Sequence, residues 1–239
     1  MRIQVQLRDS RLLLSATDLV NFHECEHLSA LDRAALDDEV LKAQRTRPDD
    51  QAELLFRKGR EFEASYLEEL KRLHPGAGEV VEIANPFKDP GKAAAETVAA
   101  MRAGASIIYQ ATFLDGDLLG HADFLRKVDR PSAFGHHSYE IIDTKLGRHA
   151  KASYVLQLAF YGDLLAKVQQ AEPHEMHVVL GDRKSVPFTV SEYSRYFRRL
   201  LQRFRKSIGT LPTETYPTPC TKCGACAWSE RCEQQRIDD

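Results

Sequence analysis

The sequence has no apolar run of the roughly 18 residues that a membrane-spanning helix needs. Its first residues, MRIQVQLRDS, also lack the apolar stretch of a secretory signal peptide. We therefore expect a cytoplasmic protein with no membrane contact. The formal net charge of -2 excludes a general affinity for polyanions, so nucleic-acid binding would need a local basic face.

Cysteine is also scarce, with five residues in a chain of 239, and none lies between Cys25 and Cys220. An odd count in a reducing compartment disfavours a disulfide framework and favours a metal site. The other four cysteines fall close together in the segment PCTKCGACAWSERC, at positions 220, 223, 226 and 232. This clustering of cysteines near the C-terminus favours a metal site there.

The periodicity of apolar residues predicts alternating helices and strands. We expect a hairpin in RIQVQL and RLLLS, then one helix over DLVNFHECEHLSALDRAAL that is capped by Ser15 and carries Cys25. The segments that follow are, in order, a helix (AELLFRKGREFEASYLEELKRL), a strand (EVVEIA), a helix (GKAAAETVAAMRAG), a hairpin turning at Asp115 and Gly116, a strand (YEIIDTKL), a helix (KASYVLQLAFYGDLLAKVQQ), a hairpin (EMHVVLGDRKSVPFTV) and a final helix (SEYSRYFRRLLQRFRKSI). This order predicts an α/β protein with one mixed β-sheet flanked by helices.

The strand EIIDTK carries the first candidate for chemistry. The two-residue period of a strand puts Asp143 and Lys145 on one face. A carboxylate and an ammonium side by side can place a divalent cation next to a water molecule, as phosphodiester hydrolysis requires. The alternative is an exposed ion pair. Asp123 lies in another apolar strand, GHADFL, where a carboxylate needs a cation partner.

Three further side chains could join this site. Glu63 belongs to the apolar-striped helix, and Gln157 and Tyr161 are four residues apart on a later helix, so both can reach the same spot. The alternatives are a solvated glutamate and ordinary half-buried contacts.

Taken in order, KGREFE, GHADF, IIDTK and QLAFY resemble the motif series of the RecB-like branch of the PD-(D/E)XK nucleases. The resemblance covers about residues 11 to 232, with Glu63 where many members have histidine and Ala122 where the family name has proline. It implies a restriction-endonuclease-like fold forming a single domain over 1–239, with an N-terminal helical part (11–75), a catalytic core (79–209) and a cysteine cluster (210–239).

The resemblance also implies the activity and its residues. The protein would be a Mg²⁺- or Mn²⁺-dependent deoxyribonuclease, with the metal bound by Glu63, Asp123, Asp143 and the backbone carbonyl of Thr144. The catalytic residues would be Asp123, Asp143, Lys145, Gln157 and Tyr161. The expected substrate is single-stranded DNA or frayed DNA ends, attacked by an exonuclease. A helicase, or a fused C-terminal domain absent from this chain, is the expected partner, with DNA repair and CRISPR adaptation as possible pathways.

Some members of that branch, such as the AddB subunit and the CRISPR-associated exonuclease of RecB type, close the nuclease core with an iron-sulfur staple. By resemblance, Cys25, Cys223, Cys226 and Cys232 would hold a [4Fe-4S] cluster that joins the N- and C-terminal segments, leaving Cys220 spare. The alternative is zinc held by the four clustered thiolates alone.

Two other classes of function stay open on sequence. HECEH matches the His-Glu-x-x-His pattern of zinc peptidases, with His23, Glu24 and His27 as the functional residues. A non-catalytic DNA-binding module would instead use the arginines and aromatics of RYFRRLLQRFRKSI, including Tyr196, Phe197 and Phe204, for phosphate contacts and base stacking.

Overall fold

A computed structural model describes residues 6–8, 11–209 and 215–239. In chain order the elements are β1 (Gln6–Arg8), β2 (Arg11–Leu13), α1 (Ala16–Glu24), α2 (Glu26–Ala34), α3 (Glu39–Ala43), α4 (Asp50–Leu73), β3 (Val80–Glu82), α5 (Pro90–Ala103), β4 (Ile107–Asp115), β5 (Leu118–Val128), β6 (Ser138–Thr144), α6 (Ala152–Gln169), β7 (Glu175–Val179), β8 (Ser185–Thr189), α7 (Val190–Gly209), a short 3-10 helix (Cys223–Ala225) and α8 (Ser229–Asp238).

The chain divides into two compact units. The first combines Met1–Phe56 with Arg198–Asp239, and the second is Arg57–Phe197. The single-domain assignment over 1–239 stays a prediction. Residues 2–5 of the predicted first strand, and residues 210–214 at the predicted start of the cysteine cluster, lie outside the described residues.

The second unit is built on a six-stranded sheet with the order β3-β4-β5-β6-β7-β8. The pairs β3-β4 and β6-β7 are parallel and the other three pairs are antiparallel, so the predicted mixed sheet flanked by helices is confirmed. The predicted hairpin joins β4 to β5, but its turn residues are Gly116 and Asp117, since Asp115 ends β4 and pairs with Leu118; Gly116 adopts the positive φ (59°) that such a tight turn requires.

One face of this sheet packs against α4. Its buried core contains Leu67 and Leu70 from the helix with Ile107, Phe124, Ile142 and Val179 from the strands. The four strand residues come from β4, β5, β6 and β7, so burial of their apolar side chains holds α4 against the middle of the sheet. Glu63 lies one helical turn before Leu67, so this packing fixes the position of Glu63 relative to the strands.

The first unit corrects one prediction. The expected continuous helix breaks at Cys25, which has extended backbone (φ -157°, ψ 106°), ends α1 and caps α2. Ser15 caps α1 as predicted, in a capping box with Asp18. Cys25 therefore lies between two helices and not on one, and its Sγ accepts a hydrogen bond from the N–H of Leu28 (3.4 Å).

The core of the first unit gathers residues distant in sequence around Trp228, which is fully buried. Leu28, Leu31, Ala35 and Leu41 pack against it. The indole Nε1 donates a hydrogen bond to Asp32 Oδ1 (2.9 Å), and the Arg45 guanidinium lies over the ring at 5.5 Å from its centroid. Trp228 is thus a core residue that secures the cysteine-rich segment.

Helix α7 turns its aromatic residues mostly inward. Phe197 and Phe204 are 1% and 0% exposed, so they are closed to base stacking, whereas Tyr196 is 52% exposed. Arg195 and Arg199 are exposed on the polar side. The helix therefore offers cations to solvent but only one of the three aromatics proposed for a DNA-binding surface.

Candidate active site

Strand β6 places Asp143 and Lys145 at a buried position. Both follow the strand period, and the side chains are 0% and 7% exposed. The Lys145 ammonium contacts Asp143 Oδ2, whereas Asp143 Oδ1 has no hydrogen-bond partner among the described residues. The predicted pair is therefore not an exposed ion pair, and Asp143 retains lone pairs for another positive partner.

Asp123 enters the same site from β5. Its Oδ2 accepts hydrogen bonds from the backbone N–H and the Oγ1 hydroxyl of Thr144, each 2.8 Å long. Burial, followed by the charges of Asp143 and Glu63, raises the pKa of Asp123 well above its ordinary value. These carboxylates are close enough to repel one another, an arrangement that costs free energy unless a cation offsets it.

Glu63 approaches from α4, as the resemblance implies. Burial raises its pKa, hydrogen bonds from Tyr109 and Gln110 oppose that rise, and the charge of Asp143 adds to it. Gln110 Nε2 donates to Glu63 Oε1. The structure thus brings Glu63, Asp123, Asp143 and Lys145 together, and it adds Tyr109 and Gln110, which sequence analysis missed.

Helix α6 contributes the remaining predicted residues. Gln157 Nε2 donates to the Tyr161 hydroxyl (2.9 Å), which confirms that the two side chains share a face. One turn earlier, the Tyr154 ring centroid lies 5.5 Å from Lys145 Nζ, a cation-π distance. Sequence analysis missed Tyr154, although a tyrosine in the first turn after the Asp-x-Lys loop was a visible signal.

The donor set fits a hard divalent cation. Mg²⁺ and Mn²⁺ favour carboxylate and carbonyl oxygens, and the site concentrates three buried or half-buried carboxylates around one ammonium. The buried Asp143 Oδ1, which has no hydrogen-bond partner among the described residues, is the atom that a bound cation would satisfy.

A second acidic group lies on the other face of β6. Within the described residues, Glu140, Glu175 and His177 form the one group of three or more metal-ligating side chains whose ligand atoms lie within 4.8 Å. Arg126 Nη2 already occupies it, at 2.9 Å from His177 Nε2 and 3.2 Å from Glu140 Oε2. Burial raises the pKa of Glu140, but hydrogen bonds from His177 and Arg126 outweigh it and lower the pKa. The guanidinium makes this group an ion-pair network and a poor cation site.

The five cysteines meet in the first unit, where all of them line one pocket together with Trp228. All are free thiols, and Cys220 Sγ lies 3.9 Å from Cys223 Sγ. Burial raises the pKa values of Cys220, Cys226 and Cys232. The structure thus brings Cys25 to the C-terminal cysteines, and it also includes Cys220, which the predicted ligand set leaves out.

The peptidase constellation does not form. The break at Cys25 separates His23 on α1 from His27 on α2, so the two imidazoles do not share a helix face. Glu24, the required base, is ion-paired with Lys222 (2.7 Å). His27 is buried, with its Nδ1 hydrogen-bonded to Thr215. These contacts remove the geometry on which the His-Glu-x-x-His reading depends.

The mixed sheet and the acidic cluster beside Lys145 define an α/β protein of the restriction-endonuclease-like class. The sequence model of the PD-(D/E)XK nuclease superfamily matches residues 16–233, and the chain belongs to this superfamily. Membership indicates a nuclease that acts on DNA with divalent metal ions.

Other comparisons add little. No curated protein is detectably similar in sequence. A solved structure titled "Crystal structure of SSO0001" is 14% identical and matches with a TM-score of 0.40, covering 97% of this chain and 88% of that chain. The comparisons give no support for a helicase partner or a fused domain. Among the helices of the described residues, none is both long and apolar enough to cross a membrane.

Proposed function

We propose that this chain is a RecB-like, Mg²⁺- or Mn²⁺-dependent deoxyribonuclease that acts as an exonuclease on single-stranded or frayed DNA ends. The observation that carries the proposal is the convergence of Glu63, Asp123 and Asp143 on the buried Lys145 ammonium. Four side chains from one helix and two strands, all predicted from one motif series, lie near enough for their charges to act on one another.

Each residue has a role that its surroundings support. Glu63, Asp123 and Asp143, with the carbonyl of Thr144, would hold the metal ion, which when bound polarises the scissile phosphate and lowers the pKa of a water ligand. Lys145 orients that water and offsets the charge that develops on the phosphate oxygens. Gln157 and Tyr161, hydrogen-bonded to each other, position Lys145 and the DNA backbone.

The second part of the proposal is a [4Fe-4S] cluster on Cys25, Cys223, Cys226 and Cys232, as in the AddB-type and CRISPR-associated exonucleases that the chain resembles. The pocket supports this proposal, since these thiols come from both chain segments of the first unit: Cys25 from the N-terminal segment and the other three from the C-terminal segment. Zinc bound at about 2.3 Å in a tetrahedron would need sulfurs only about 3.8 Å apart. Cys220 Sγ and Cys223 Sγ have this spacing (3.9 Å), but no three of the five sulfurs lie within 4.8 Å of one another. A cluster, which binds each thiolate to a different iron, suits such wider spacing better.

The test of catalysis is Mn²⁺-dependent degradation of end-labelled single-stranded and duplex DNA by anaerobically purified protein. We expect the parent to cut and Asp143→Ala to be inactive, whereas Asp129→Ala, which alters an exposed aspartate, should cut like the parent. Equal cutting by Asp143→Ala would refute the assignment. DNA binding without cutting by the parent would favour the non-catalytic module instead.

The test of the cluster is chemical analysis of iron and sulfide in the anaerobically purified protein. We expect both in the parent and neither in Cys25→Ser. Bound zinc in a colourless parent would overturn this part of the proposal and leave the nuclease assignment standing.

A further inference from the structure

Gln110 has an unusual backbone conformation. Its φ is +55°, the only positive value at a non-glycine residue within the β-strands of the described chain. Glutamine rarely adopts this region, and it does so in a structured strand only where surrounding contacts enforce it. The conformation of Gln110 therefore indicates a role that offsets its energetic cost.

The position of Gln110 connects two predicted metal ligands. The β4-β5 register pairs Tyr109 with Phe124 and Ala111 with Ala122, so Gln110 lies across from Asp123, and the pairing lapses at that point. Freed from the regular alternation of the strand, the Gln110 side chain reaches Glu63 on α4 and donates its amide N–H to Oε1. Tyr109, the preceding residue, also hydrogen-bonds to Glu63.

We infer that Gln110 is a positioning residue, whose amide holds the Glu63 carboxylate in the orientation that binds the divalent metal. The inference rests on the proposed function of Glu63 as a ligand. Hydrogen bonds to metal-binding carboxylates fix their orientation, and loss of such a partner typically lowers metal affinity about 10- to 100-fold. The positive φ of Gln110 directs its side-chain amide toward Glu63, whereas a regular strand conformation would direct it to one face of the sheet.

The experiment measures Mn²⁺ binding to the full chain, by electron paramagnetic resonance of free Mn²⁺, beside DNA cleavage and urea unfolding in EDTA. Gln110→Met keeps the backbone preference and approximate size but removes the amide. Gln110→Gly removes the amide and also relieves the positive φ. Gln170→Gly is the matched control, because Gln170 has nearly the same φ (52°) at the end of α6 and is exposed.

We expect both Gln110 variants to raise the Kd for Mn²⁺ about 10-fold or more, and to need correspondingly more Mn²⁺ for cleavage. Gln170→Gly should bind Mn²⁺ like the parent. In EDTA, both Gln110 variants should still unfold in a cooperative urea transition, with Gln110→Gly no less stable than Gln110→Met, so that the lost affinity is not lost folding.

Two results would overturn the inference, and they are distinguishable. If the parent binds Mn²⁺ and cleaves DNA, and Gln110→Met binds it as tightly, the inference alone falls. If the parent binds no Mn²⁺ at all, the inference falls together with the proposed function.

Discussion

Lys145 and Asp143 form a buried pair, but we predict that removing each has a different effect on stability. The lysine contacts Asp143, and its charge also opposes the rise in the pKa values of Glu63 and Asp123, so it is the cation that acts on three carboxylates. Lys145→Met leaves those three groups with no ammonium. Asp143→Asn instead leaves one ammonium facing two carboxylates, and it removes two repulsions.

The size of the expected loss of stability follows from the number of carboxylates left without a cation. Removing one partner of a buried pair costs about 3 to 5 kcal/mol when the other charge is left uncompensated. We therefore expect Lys145→Met to lower the free energy of unfolding in EDTA at neutral pH by about 3 kcal/mol, which is about 6 to 12 °C in Tm for a chain of this size. Asp143→Asn should change it by about 1 kcal/mol or less, because the Lys145 charge still acts on Glu63 and Asp123.

Urea unfolding of the parent and both variants in EDTA and in Mn²⁺ checks this asymmetry. Mn²⁺ should recover much of the stability lost in Lys145→Met, because a bound cation replaces the missing positive charge. Neither variant should cleave DNA. A loss of stability in Asp143→Asn as large as that in Lys145→Met would refute the reasoning, since it would show that Asp143 and Lys145 form an isolated pair.

Three further predictions concern packing and pH. Trp228→Phe removes the indole N–H donor to buried Asp32, so we expect about 2 to 3 kcal/mol lower stability in urea and a lower iron content, and unchanged values would contradict the anchoring role. Gly181→Ala would push a Cβ into the carbonyl oxygen of Leu146, the residue after the proposed catalytic lysine, so we expect about 1 to 3 kcal/mol lower stability with reduced cleavage, whereas full activity would show that this loop is free to move. The pKa of Asp123 is raised in the folded state, chiefly by burial, so its stabilising contribution is complete below about pH 4 and is lost as the pH rises. In EDTA the parent should therefore lose stability relative to Asp123→Asn between acidic and neutral pH; parallel profiles would contradict this.

Much of the site was predictable from sequence because it lies in regular elements. The strand period alone placed Asp143 and Lys145 on one face, and the helical spacing of α4 carried Glu63 toward the sheet. The resemblance to the nuclease family predicted the order of the motifs. It did not predict how deeply these side chains are buried, and burial is what distinguishes this Asp-x-Lys pair from a common exposed ion pair.

What was missed depends on irregular backbone. The apolar pattern runs through Cys25 without interruption, so only tertiary contacts reveal that the helix breaks there. Gln110 has no residue-type signal for a positive φ, since glutamine seldom adopts it. Helices α3 and α8 are short or strongly polar, and neither presents an amphipathic pattern long enough to detect.

The order of protein synthesis gives the Trp228–Asp32 hydrogen bond a further consequence. The two residues are 196 positions apart, so a ribosome adding about 5 to 20 residues per second makes Asp32 about 10 to 40 s before Trp228. Residues 57–197 are complete in that interval and can form their sheet, while the first unit still lacks its central aromatic side chain. Any metal centre built from Cys25 and the later thiols is therefore inserted after the acidic site has been synthesised, and a chain stalled before residue 220 would carry the proposed catalytic residues without the pocket.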